Sequence, residues 1–556
     1  MSRQLETATT AVSGSSPRCS TARSSVRSRS PRFEPRPTNA RAIAARVVGV
    51  QFTALLRLAL LSALAFAVAA PAHAQTSGTT LVEVHPGTAP IVRAAGGVSL
   101  APELHLWRVP TSALPALRRA GIVTRAERER LFARTTSALD TSTADEEWWR
   151  TAIGADAAPA PGPGKPVTIV DSGLDITHRE FASRPNTTLL NDQTTSFEDD
   201  DHGTEVASVI AAAGVGMMGV YPQAVLRSYD ASPLGFITAG DAVRGIVAAT
   251  RGGPGVINLS FGGEEDDPLV HQAVLYAFRR GSLVVASAGN DGLAGNPLSY
   301  PASYAHVLTI AATDQTGVVA SFSSQSNDVD LAAPGRHIFV AEPVADDPSG
   351  YVFASGTSFS APMVSAAAAW VWTVRPSLDN TQLFDVMRFS THDIDAPGYD
   401  RATGFGLLNI PSALAYTPPV RDPLEPNDDI DQVATTGIFD GGEPAVLTPK
   451  RHTVTFTARV DRHEDPHDVY RAFVPAHGTL AARAGGGGVD LRIFRSGARD
   501  IGAKAAAISQ RAGVAPDVAA VRNTGKRGVY FYVEIRPDAA TLRTSYTLKL
   551  TSSARR

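Results

Sequence analysis

Three short segments of this chain carry the side chains that nucleophilic hydrolysis needs. Asp171 closes the apolar run of VTIVDSGLD, His202 opens HGTEVASVIAAA, and Ser358 stands in SGTSFSAPMVSAAAAW. Taken singly, each has an ordinary reading. An acid at a strand end begins a turn, and His-Gly or Gly-Thr-Ser caps a helix. Taken together they supply a hydroxyl to attack, an imidazole to take its proton and a carboxylate to orient that imidazole. Their chain order, Asp, His, Ser, is one of the three orders in which this arrangement recurs on unrelated folds.

Those groups need a scaffold that brings them to one edge. From Lys165 to about Ala415 the apolar runs VTIVD, VLRSYD, GVINLSF, SLVVASAG and HVLTIAATD alternate with helical stretches such as DAVRGIVAATR and PLVHQAVLYAFRR. Continuous apolar strands alternating with helices predict an α/β fold, a parallel sheet covered by helices on both faces. In such a sheet the working groups gather beyond the carboxyl ends of the strands. Before it, Thr80 to Ala133 reads as strand, strand, helix, strand, a small α+β unit completed by IVTRAERERLF. A polar loop (Thr135–Asp145) follows, and Ala155–Gly164 reads as a surface linker. After Pro418-Pro419 the runs HTVTFTARV, VYRAFVP, LRIFRSG, GVYFYVEI and SYTLKL predict an all-β sandwich, with a turn at Gly485–Gly488.

The blocks VDSGLD, HGTEVA, VINLSFGG, ASAGNDG, YPASY, SFSS, APG, GTSFSAP and GFGLLN stand in the order of the subtilisin family of serine proteases, which the chain resembles over about residues 143–418. The resemblance implies Ser358 as nucleophile, His202 as base and Asp171 as its orienting anion. It implies Asn290 as an oxyanion donor beside the backbone N–H of Ser358; a structural turn is the other reading of Asn290. It implies that Ser260, Phe261 and Gly262 pair with substrate backbone. Ser299 falls on the floor of the main specificity pocket, where a small residue implies large apolar P1 side chains. The implied organisation is 1–74 extension and signal, 75–142 propeptide acting as an intramolecular inhibitor, 143–418 catalytic domain and 419–556 sandwich. DPLEPNDDIDQ, DVYRAFVP, LRIFRSG and YFYVEI make the last unit similar to bacterial pre-peptidase C-terminal domains, with a role in secretion or adhesion.

Two departures from the family stand out. Glu205 replaces a second histidine, in a first helical turn where an acid suits the dipole. Ala211–Gly216 offers no side-chain oxygen, so the family's calcium loop is not carried over. Catalysis requires no cofactor and no metal ligand is assigned; calcium remains open without a site. His463-Glu464-Asp465-Pro466-His467 reads as a solvated loop, since Pro466 breaks the helix a zinc motif needs. The run Glu198–Asp201 is either solvated or tunes His202.

Residues 1–74 carry ten Arg and two acids, so the remainder holds 41 basic against 52 acidic side chains, a net of −11. That excludes an electrostatic nucleic-acid binder. The one cysteine, Cys19, lies in the basic prefix, which excludes disulfides and a thiol nucleophile elsewhere. Leu58–Ala70 followed by Ala72-His73-Ala74 reads as a signal peptide cut after Ala74, too short to span a membrane. No methionine lies between Met1 and Met217, so a start at Val47 or Val48 is open. The expected protein is an exported monomeric zymogen acting on polypeptides, cut by itself within residues 132–145, foremost after Leu139. The alternative is an inactive or self-processing relative whose C-terminal domain binds a surface or a protein partner.

Overall fold

The computed structural model describes residues 78–134, 146–194 and 201–554, apart from 345, 348, 512 and 514. The signal segment, Cys19, Leu139 and residues 198–200 lie outside them.

In the N-terminal unit the elements are β1 (Thr79–Val84), α1 (Ala89–Ala94), β2 (Val98–Ala101), β3 (Leu106–Pro110), α2 (Leu114–Arg119) and β4 (Val123–Arg128). The sheet order is β2-β3-β1-β4, and the sequence pattern had missed α1 and β2. Alternation along β1 separates two cores. Val82 and Val84 pack with Val92 of α1 and Leu117 of α2, whereas Leu81 packs with residues of the next layer. The segment IVTRAERERLF does not finish this unit as one strand. It breaks after Arg128, and β5 (Leu131–Arg134) leaves for another sheet.

The next layer contains α3 (Trp148–Ala152), β6 (Pro166–Asp171), β7 (Thr187–Leu189), α4 (His202–Ala211), β8 (Val225–Asp230), β9 (Ile237–Thr238), α5 (Ala239–Thr250), β10 (Val256–Leu259), β11 (Phe261–Gly262) and α6 (Pro268–Arg279). It continues with β12 (Leu283–Ser287), β13 (Val307–Thr313), β14 (Leu331–Pro334), the hairpin β15 (Ile338–Ala341) and β16 (Tyr351–Ala354), α7 (Thr357–Val374), α8 (Asn380–Phe389) and α9 (Ile410–Ala415). Seven strands, β14-β13-β12-β10-β6-β8-β7, pair in parallel throughout. Every residue of β6, β10, β12, β13 and β14 is buried, which is why the runs read as continuously apolar. Val167 and Ile169 face α4 and α7, while Val170 faces α5 and α6. Helix α7 is buried from Thr357 to Trp372, so it is apolar all round rather than amphipathic.

The C-terminal unit adds α10 (Ile430–Val433) and two antiparallel sheets. Its strands are β17 (Thr453–Asp461), β18 (Asp468–Val474), β19 (Thr479–Gly485), β20 (Val489–Phe494), β21 (Ala507–Ser509), β22 (Asp517–Arg522), β23 (Val529–Pro537) and β24 (Arg543–Ser553). Sheets β17-β24-β19-β22 and β18-β23-β20-β21 close on one core containing Leu480, Leu491, Val533 and Leu548. An ion-pair network docks this sandwich on α8. Arg388 is 4% exposed and reaches Asp330 at 2.7 Å and Asp461 at 3.2 Å, while Arg459 reaches Asp385 at 3.3 Å. The His463–His467 segment is therefore not a solvated loop. Glu464 is buried, the His463 ring stacks 6.4 Å from Tyr399 of the catalytic layer, and His467 Nδ1 lies 2.9 Å from Glu534 within the sandwich, so the segment is packed on both sides.

Candidate active site

Asp171 is the last residue of β6 and has no exposed surface. His202 is the first residue of α4. His202 Nδ1 lies 2.7 Å from Asp171 Oδ1, which also accepts from the Ser172 N–H at 2.8 Å. The bond to Asp171 assigns the proton of a neutral imidazole to Nδ1 and leaves Nε2 as the basic nitrogen. Nε2 is buried and has no hydrogen-bond partner among the described residues. The close fit is made by Gly203, where a Cβ would stand 1.9 Å from the Gly173 carbonyl oxygen. That requirement explains the His-Gly pair.

Ser358 is the second residue of α7 and is fully buried. Its hydroxyl donates to the Ser260 carbonyl at 3.1 Å, and the Ser260 hydroxyl donates back to the Ser358 carbonyl at 2.9 Å. Asn258 Nδ2 donates to Ser260 Oγ at 2.9 Å, and Ser365 Oγ to Asn258 Oδ1 at 2.9 Å, so α7 is pinned to β10 by polar bonds inside an apolar layer. The ring of Phe359, next to Ser358, lies 6.1 Å from that of His202. These contacts bring the ends of β6, α4 and α7 to one place.

Asn290 follows β12. Its Oδ1 accepts from both the N–H and the hydroxyl of Thr357, each at 3.0 Å. A backbone N–H can only donate, so the oxygen must face Thr357 and the donating –NH2 lies on the other side of the amide. Sequence reasoning did not single out Thr357, although it sits inside the Gly-Thr-Ser motif. Gly289 has φ 102°, and a Cβ there would stand 3.3 Å from the Ser299 Cβ.

Ser260, Phe261 and Gly262 border a groove already filled by the chain itself. Strand β5 pairs antiparallel with β11 (Phe261↔Arg134, Gly262↔Ala133) and with β9 (Leu131↔Thr238, Phe132↔Ile237). Phe132 is buried, its ring 5.4 Å from that of Phe261. Ser299 is 8% exposed, and its Oγ lies 2.3 Å from where a Cβ on Gly262 would stand, so a side chain there would have to displace the Ser299 hydroxyl. Ile237-Thr238 was invisible in the sequence, since two residues carry no periodicity.

Two further groups flank the site. Glu205 lies in the first turn of α4, as expected, and is buried there. Asp201, the one described member of the 198–201 run, is the N-cap residue of α4. Burial, then repulsion from Asp201, Asp346 and Asp347, pushes Glu342 up to about 8.

The Ala211–Gly216 stretch has an anchor that its own sequence does not supply. Glu180 is fully buried and accepts from the backbone N–H groups of Gly214 (3.0 Å), Val215 (3.1 Å), Gly216 (2.5 Å) and Met217 (3.1 Å), and from the Tyr351 hydroxyl (2.5 Å). The loop turns donors inward onto an anion, the opposite polarity to a cation site.

The molecule thus combines a parallel α/β sheet with a buried carboxylate–imidazole pair and a serine at a helix start, all at one sheet edge. That is the architecture of a serine hydrolase. Residues 162–406 match the model of the subtilase family. The chain is 35% identical over 257 residues to Subtilisin Savinase of Lederbergia lenta, covering 45% of this chain and 91% of that protein. It is 32% identical over 251 residues to the minor extracellular protease Epr of Bacillus subtilis (strain 168), covering 44% of this chain but only 37% of Epr. Fervidolysin of Fervidobacterium pennivorans, described as a keratinolytic enzyme related to subtilisin, shares the fold with a TM-score of 0.55 at 18% identity, over 84% of this chain and 92% of that one. The chain belongs to the subtilase family of serine endopeptidases.

The loop anchor is testable. Burial alone would raise the Glu180 carboxyl, but the Tyr351 hydroxyl and the three N–H groups of Gly216, Val215 and Met217 outweigh it and hold the carboxyl below its ordinary 4.5. A folded-state value below the unfolded one gives stability that is full above about pH 4.5 and is lost as pH falls through the folded value. Glu180→Gln, in a Ser358→Ala background, is expected to cost about 1–3 kcal/mol at pH 7 by urea unfolding. The difference should shrink below pH 4.5. Equal midpoints at pH 7 would contradict the assignment.

Proposed function

We propose that Ser358 attacks the substrate carbonyl, His202 Nε2 takes its proton and returns it to the leaving amine, and Asp171 holds the tautomer and offsets the imidazolium charge. Asn290 Nδ2 and the Ser358 backbone N–H, at the N-terminus of α7, are the donors for the oxyanion. An acyl-enzyme forms on Ser358 and is released by water. Ser260–Gly262 reads substrate backbone as an added antiparallel strand, and Ser299 floors a roomy uncharged pocket for a large apolar P1 side chain. Peptide-library digestion is expected to give Phe, Leu, Tyr or Met at P1; strict Arg or Lys would contradict this pocket.

The observation that carries the reading is the register of β5. In an antiparallel pair, a step forward on one strand is a step back on the other. With Phe261 opposite Arg134 and Gly262 opposite Ala133, β5 runs antiparallel along β11, the strand that follows Ser260, whose carbonyl takes the Ser358 hydroxyl. The N-terminal unit is thus an intramolecular inhibitor whose tail lies as a substrate does, with Phe132 as its apolar anchor. Its other side packs Leu81, Leu104 and Leu106 against α5 and α6, and Arg108 pairs with Glu129 and, at 3.2 Å, with Asp241 of α5.

The processing bond is expected within residues 132–145, foremost after Leu139. N-terminal sequencing of the mature protein is expected to give a start at Asp140, and Ser358→Ala to retain its propeptide. A mature chain beginning outside this loop, or a Ser358→Ala chain cut in it when made without other proteases, would contradict the proposal. Export fits the signal-like segment and the extracellular character of the relative Epr. Among the described residues no helix is long and apolar enough to cross a membrane.

A further inference from the structure

The corner of the N-terminal unit between β2 and β3 is gripped from two sides. Leu104 and Leu106 are buried in the apolar cluster shared with α5 and α6. Glu103 and His105, which alternate with them, are half-buried at its rim. Glu103 Oε1 accepts from Arg251 Nε at 3.0 Å, just past the end of α5. His105 Nε2 lies 3.2 Å from Asp440 Oδ2 and 3.3 Å from Oδ1. The first contact is to the catalytic layer and the second to the C-terminal unit.

Asp440 belongs to a loop that is fixed without help from His105. Residues 438–443 fold back on α10. The Ile438 N–H donates to the Asp431 carbonyl at 2.9 Å and the Glu443 N–H to the Val433 carbonyl at 3.1 Å. Gly442 has φ 58°, and a Cβ there would stand 2.4 Å from the Val433 and Ala434 carbonyl oxygens. On its other side the loop is seated on α6. Phe439 is 2% exposed and joins the apolar cluster of Leu81, Leu104 and Leu106, with the Arg279 guanidinium 4.8 Å from its ring. Arg279 also donates to Glu443 at 2.5 Å and to the Gly442 carbonyl at 3.0 Å, and Gln272 Nε2 donates to the Ile438 carbonyl at 3.2 Å. Burial, then Asp429, pushes the Asp431 carboxyl up to about 6, while Arg125 of β4 pulls it down and Glu83 of β1 adds to the push. Helix α10 thus lies within the field of the N-terminal sheet.

We propose that residues 438–443 are a clasp by which the C-terminal unit holds the N-terminal unit on the catalytic layer after the processing bond is cut. The proposal rests on the reading of the N-terminal unit as an inhibitor. Before the cut, the covalent connection keeps that unit at a high effective concentration. After it, occupancy of the groove depends on contact alone, and each added contact acts mainly on the dissociation rate. The bond to Asp440 is made by the imidazolium or by the neutral tautomer with its proton on Nε2. Because α10 and α6 already hold the loop, little ordering is lost when the contact forms. The C-terminal unit therefore sets how long the groove stays filled.

The test follows the full chain, with its own Ser358, and reads two times. One is the appearance of the processing cut on a gel, the other the appearance of activity on a short peptide substrate. The parent is expected to show a lag between them. Asp440→Arg replaces an acceptor by a second donor, at a side chain that is 72% exposed. It should leave the time of cutting unchanged and shorten the lag about threefold or more. His105→Asp, which sets two acids together, should shorten it similarly, and Asp is tolerated at the φ of 54° found there. Asp440→Arg combined with His105→Asp should restore the parental lag, which a variant that merely loosened either unit would not do. An unchanged lag in folded Asp440→Arg, or no restoration in the pair, would overturn the clasp alone. If one single variant does not fold by circular dichroism, the lag of the other decides. Activity that rises together with the cut in the parent would remove the inhibitor reading and the clasp with it.

Discussion

The buried hydrogen bond between His202 and Asp171 is the contact on which the rest of the catalytic layer depends. Asp171 ends a central strand, and the chain must then bring the first residue of α4 within 2.7 Å of it. The sheet supplies the placement, since parallel strands end at a common edge and helices return beside them. Small residues supply the approach. Gly203 lets α4 meet the turn after β6, and the alanines of α7 let that helix lie buried against the strands. The polar bonds among Asn258, Ser260, Ser358 and Ser365 then fix α7 along its length, which is what positions the serine.

The same edge carries a groove that takes an extended strand. β9 and β11 are two residues each and offer backbone bonds on either side of one extended segment. Strand β5 of the chain itself lies in this groove, paired with both. The N-terminal unit gains its hold from the larger apolar face around Leu104 and from Arg108, and its tail needs only to be an extended strand.

Much of this was legible in the sequence, and the reason is local. Continuous apolar runs announced the parallel strands, and each of Asp171, His202 and Ser358 lies at an element boundary marked by its own neighbours. What was illegible depends on distant partners. Glu180 reaches residues 214–217 across the fold, and β9 is too short to carry a period. The His463–His467 hairpin is polar enough to read as solvated, but α8 presents Asp385 and Arg388 to the adjoining strand, and the hairpin is half-buried as a consequence, with Glu464 inside. Charge complementarity across two units leaves no mark in either segment alone.

The most direct measurement is the turnover of Asp171→Asn on a peptide substrate. The amide nearly preserves the size of the side chain but offers a donor where the carboxylate accepted, so it stabilises the wrong tautomer and no longer balances the imidazolium. The expected result is a folded protein whose kcat falls about 10⁴-fold at neutral pH with KM little changed. A folded Asp171→Asn protein with kcat within tenfold of the parent would contradict it.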